Sequence, residues 1–143
     1  MSIGPVELLV LSFPSERADP AVVASVQEVI ASGFVTVLDL VFVSKSLDGE
    51  VRVVDVSEGL DEHGLAVLEV QGQALISEDD LELATDTLEP GTSAVVIVYE
   101  NSWARKVSGA VADASGELTL HARIPRDVVE AALENALEPG ASR

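Results

Sequence analysis

The amino-acid sequence predicts an α+β fold: a ferredoxin-like sheet built from two βαβ halves plus an edge hairpin strand, with helices mainly on one face. Three observations lead there. Five short segments are apolar or alternating and read as strands. Segments with helical spacing lie between them. A strand–helix–Ala-Ser-Gly–strand order occurs twice, around Ala31-Ser32-Gly33 and around Ala114-Ser115-Gly116. Leu-Glu-Pro-Gly also occurs twice, at 88–91 and 137–140.

The elements follow in order. Val6 to Phe13 is an apolar run ended by Pro14-Ser15, as a buried strand would be. Asp19-Pro20 reads as an N-cap with proline at the first helical position. Val22, Val26, Val29 and Ile30 share a face of that helix, and Gly33 stops it. Val35 to Val43 is β-branched and apolar, a second strand. Asp48-Gly49 signals a hairpin into an imperfectly alternating edge strand, 51–56.

Residues 58–91 read as interrupted helix, weakened by Gly59, Gly64 and Gly72. Ser77-Glu78-Asp79-Asp80 resembles a capping box that starts a second helix there. Leu81, Ala84 and Leu88 follow at helical spacing, and Pro90-Gly91 ends the segment. Ser93 to Tyr99 is the longest apolar run and reads as a central strand. Ser102 is placed as the cap of a helix carrying Trp103, Val107, Ala110 and Val111, closed by Gly116. Leu118 to Ile124 alternates and reads as a fifth strand. Pro125 opens a last helix with Val129, Ala132, Leu133 and Ala136 on one face. The expected sheet has the first and fourth strands at its centre. The second and fifth flank them, and the third lies beside the second.

Length bounds this to a single domain, 1–143, with 138–143 as a frayed tail. Aromatic residues are only 3% of the chain, so the core must come from Val, Leu, Ile and Ala. With no cysteine, disulfides and thiolate chemistry are excluded. No basic apolar leader and no apolar run near 18 residues is present, so the expectation is a cytoplasmic protein. The net charge of −17 is uneven: residues 46–100 hold 14 acidic residues and one base, Arg52. A positive footprint for nucleic acid or an anionic membrane is lacking. The acidic middle reads as a solvated face, or as a docking surface for a basic protein partner.

Catalytic patterns are missing. There is no Walker loop, GxGxxG, GxSxG or His-Glu-x-x-His, and the two histidines are not spaced as metal ligands. His121 reads as a strand histidine and His63 as part of a polar surface stretch. No cofactor and no metal is expected. Asp39 stands inside apolar Val37 to Val41, where alternation places it with Val37 and Val41. A buried carboxylate there needs a partner. Tyr99-Glu100-Asn101-Ser102-Trp103 lies where a central strand hands over to a helix, and it holds the sole tyrosine and sole tryptophan. The expected topology brings Arg123, and Arg126, to the same end of the sheet. Asp39, Tyr99, Glu100, Asn101, Trp103 and Arg123 are therefore the candidate ligand-binding or interface residues.

The Val37 to Lys45 stretch, Tyr99 to Ala104, Ile124-Pro125 and the opening Gly4-Pro5-Val6-Glu7 resemble a family of short acidic bacterial proteins of unknown function. The chain is more distantly similar to small, uncharacterised stress-associated bacterial proteins. The resemblance spans nearly the whole chain and implies a bacterial, intracellular, single-domain protein. It carries over no activity and no catalytic residue. The reading is a non-enzymatic homo-oligomer or interaction protein. The alternatives are a small-ligand (stress-sensing) module with a pocket near Trp103, and an enzyme using carboxylates such as Asp39 or Glu100.

Overall fold

A computed structural model describes residues 3–55, 64–65, 68–71, 74–117, 119–120 and 122–136. It is an α+β structure in the order β1 (Val6–Phe13), α1 (Pro20–Ala31), β2 (Thr36–Lys45), β3 (Val51–Asp55), α2 (Glu78–Asp86), β4 (Thr92–Glu100), α3 (Ser102–Asp113) and α4 (Arg126–Ala136). The sheet has four strands in the order β1-β4-β2-β3. Every pair is antiparallel.

Local chemistry sets the element ends. The Asp19 carboxylate accepts from the Ala21 N–H at 2.8 Å, with Pro20 opening α1. Gly33, at φ 83°, turns the chain out of that helix. The capping box at α2 is reciprocal: Ser77 Oγ accepts from the Asp80 N–H at 3.1 Å, and Asp80 accepts from the Ser77 N–H at 3.4 Å. Glu78, Asp79 and Asp80 also suit the positive end of that helix.

Alternation sorts the strands into two apolar faces. One joins Phe13, Leu40, Phe42, Val54, Val95 and Ile97 to Val23, Val26 and Ile30 of α1, with Leu65 and Leu68 completing it. The other joins Val41, Val43 and Ala94 to Leu81 and Leu88, and α2 lies over it. The helices thus divide between faces, against the expectation of one helical layer. The inward stripe of α1 is Val23, Val26 and Ile30, while Val22 and Val29 remain partly exposed.

Two further expectations are corrected. Residues 119–120 and 122–124 are not in a strand, and Leu120 is 78% exposed. Leu118 and His121 lie outside the described residues. Without a fifth strand, β1 pairs with β4 alone among the described residues and forms an edge rather than part of the centre. Its Val6, Leu8, Leu9 and Val10 are accordingly exposed. The described part of 64–77 contains no helix; α2 begins at Glu78. Gly59, His63 and Gly72 lie outside the described residues. Instead of helix, this stretch sends Leu65 and Leu68 into the core, and Val70 forms a parallel bridge to Val37.

Candidate functional site at the β1–β4 end of the sheet

The end of the sheet where β4 hands over to α3 holds two small polar networks, one on each face. Glu7, opposite Tyr99 across the β1–β4 ladder, is the only acid in the apolar first strand. Tyr99 donates its hydroxyl to Glu7 Oε2 at 2.6 Å, and Asn101 Nδ2 donates to Glu7 Oε1 at 3.3 Å. Burial pushes the Tyr99 phenol up to about 12. The hydrogen bond to Glu7 and the charge of that carboxylate act in the same direction, because a phenolate there would face an anion. The positive charge of Arg123 acts the opposite way.

On the other face, Glu100 is 2% exposed. Its carboxylate accepts from the Gly4 N–H at 2.6 Å and from Ser102 Oγ at 3.3 Å, and Arg105 Nη1 stands 3.6 Å away. Ser102 Oγ also shares a 2.5 Å hydrogen bond with Thr36. The backbone clamps the same corner: the Asn101 N–H donates to the Pro5 carbonyl at 2.8 Å. A Cβ on Gly4 would lie 2.6 Å from the Asn101 carbonyl oxygen, so only glycine fits this approach. Glu100 therefore ties the start of the chain to the β4–α3 corner.

The expected cap of α3 shifts by one residue. Asn101 is the N-cap and Ser102 the first helical residue, with no side-chain cap bond; the Asn101 amide nitrogen donates to Glu7 instead. Trp103 is 52% exposed, and its backbone N–H donates to the Phe34 carbonyl at 3.2 Å. Arg126 pairs with Glu130 on its own exposed helix at 2.7 Å.

Asp39 is buried but stands apart from this cluster. Its carboxylate accepts three backbone N–H groups, from Leu40 at 2.9 Å, Leu75 at 2.8 Å and Ile76 at 3.0 Å. Both oxygens thus anchor the segment that leads into α2. The predicted alternation fails at this point. A bulge between Val37 and Asp39 puts Val37 opposite Tyr99 and Asp39 opposite Val98, so Asp39 shares a face with Val41 but not with Val37.

A groove of about 440 Å³ runs between α1 and the sheet. Its walls are mainly Leu9, Leu11, Val22, Val26, Val29 and Ile97, and Tyr99 and Asn101 mark its polar end. Trp103 is not among its lining residues. The structure therefore brings Tyr99 and Asn101 to Glu7 on one face and Glu100 to the other, while Trp103 is exposed in the first turn of α3 and Arg123 is exposed outside any strand. Glu7, Gly4 and Thr36 were missed by the sequence reading. Glu7 had a usable signal, a lone carboxylate at a period-two position among leucines.

Among the described residues, no group of three or more His, Asp or Glu side chains is placed to hold a metal ion. No helix among them is long and apolar enough to cross a membrane. No curated protein and no solved structure is significantly similar to the chain. Residues 2–138 match a family profile described as a family of unknown function, and the chain belongs to that family, DUF6325.

Proposed function

We propose that this is a non-enzymatic interaction protein, an acidic cytoplasmic domain spanning 1–143 that works as a homo-oligomer. One observation carries the reading: α4 has an apolar stripe, yet every residue from Arg126 to Ala136 is exposed. Such a helix draws most of its stability from packing, which the described residues of the chain do not supply. The exposed apolar residues of edge strand β1 point the same way. An enzymatic role for Asp39 or Glu100 is disfavoured by their occupied oxygens, which hold backbone and neighbouring side chains. The test is melting temperature against protein concentration. Association of folded chains raises it with concentration. A melting temperature constant over a hundredfold range would overturn the reading.

The groove favours a second reading, a small apolar ligand held against α1 with its polar group toward Tyr99 and Asn101. A panel of amphipathic metabolites should then raise the melting temperature in a saturable way. No shift across the panel would remove this alternative. The acidic segment 46–100 supports a basic protein partner only through its charge.

A further inference from the structure

The groove and the last helix are complementary. The groove is apolar and runs beside α1, a twelve-residue helix whose only charged side chain is Glu28. The eleven residues of α4 place Val129, Ala132, Leu133 and Ala136 on one face and Asp127, Glu130 and Glu134 on the other. Both helices are roughly 16–18 Å long at 1.5 Å per residue. An acidic helix can therefore lie along α1 with little opposing charge. The chain's own α4 does not take that place. It remains exposed along its whole length while the groove stays open.

We propose that α4 of one chain docks, through Val129, Ala132 and Leu133, in the α1–sheet groove of a second copy. The inference rests on the homo-oligomer reading and names its contact. Each chain offers one groove and one helix, so reciprocal exchange closes at two copies with two-fold symmetry.

The chain has no cysteine, so single-cysteine variants report cleanly. Ser25→Cys lies on the groove wall, and Ala132→Cys on the apolar stripe of α4. Mixing the two variants, one enlarged by an affinity tag, should give a covalent mixed dimer under mild oxidation. The rate should exceed that of Ser25→Cys with Glu130→Cys, on the polar side of α4, by tenfold or more. Equal rates would overturn the proposal. Leu133→Asp should weaken dimerisation on the order of 30-fold or more, as loss of a central interface residue does. Leu133 is 62% exposed in the single chain, so circular dichroism should show its fold intact. A Leu133→Asp dimer as tight as the parent would sink α4 docking and leave the homo-oligomer reading standing. A parent protein that is monomeric throughout would sink both.

Discussion

Asp39 shows how a buried charge can be wholly structural. Three backbone N–H groups converge on its carboxylate. Asp39→Ala would strand those donors, two of them in the segment entering α2. The expected loss is on the order of 3 kcal/mol or more, read by urea unfolding. A loss under about 0.5 kcal/mol would contradict the role given to this residue. Tyr99 supplies a pH signature. Its folded pKa is raised to about 12 against an ordinary value near 10. The stability that comes from keeping the phenol protonated is complete below pH 10 and lost as pH rises through about 12, because the unfolded chain gives up this proton first. Tyr99→Phe should flatten the fall in stability between pH 10 and pH 12. An unchanged slope would mean that Tyr99 is not held buried against Glu7 in solution. Asp39 was flagged in the sequence by its apolar surroundings, and Tyr99 as the sole tyrosine, placed where a strand hands over to a helix. The bulge beside Asp39 could not be read there, because the strand is apolar on both faces and offers no alternation for an extra residue to interrupt.

At the scale of elements, most strands and caps were legible because their signals are local. The β1 segment is found as expected, β2 and β4 shift by one or two residues, and the Asp19-Pro20 and Ser77 caps form. What was not legible depended on distant partners. The repeated Ala-Ser-Gly triplet is an instance. After α1 the left-handed residue is Gly33, whereas after α3 it is Ser115 at φ 65°. Gly116 is instead drawn back by its N–H to the Val111 carbonyl at 2.8 Å. A serine in the left-handed region carries a steric cost that glycine avoids. Ser115→Gly should therefore stabilise the protein by about 0.5–1 kcal/mol in thermal unfolding. Destabilisation would place Ser115 in a different backbone conformation.

At the scale of the molecule, an apolar interior and a strongly acidic exterior meet at surfaces left uncovered. Alternation along 118–124 argued for a fifth strand, but its described residues lie outside the sheet, so β1 becomes an edge. The stripe on α4 was legible as a stripe; that none of the described residues covers it was not, since amphipathic spacing does not name a partner. In the proposed dimer, a second copy would cover the α4 stripe. The net charge of −17 opposes that association at long range, so salt should strengthen it by screening. The most direct measurement is solution mass by light scattering after size exclusion, over a concentration series at low and high salt. The account predicts twice the chain mass of 15.0 kDa, with the dimer persisting to lower concentration as salt rises. A mass of one chain at every concentration and both salt levels would contradict it.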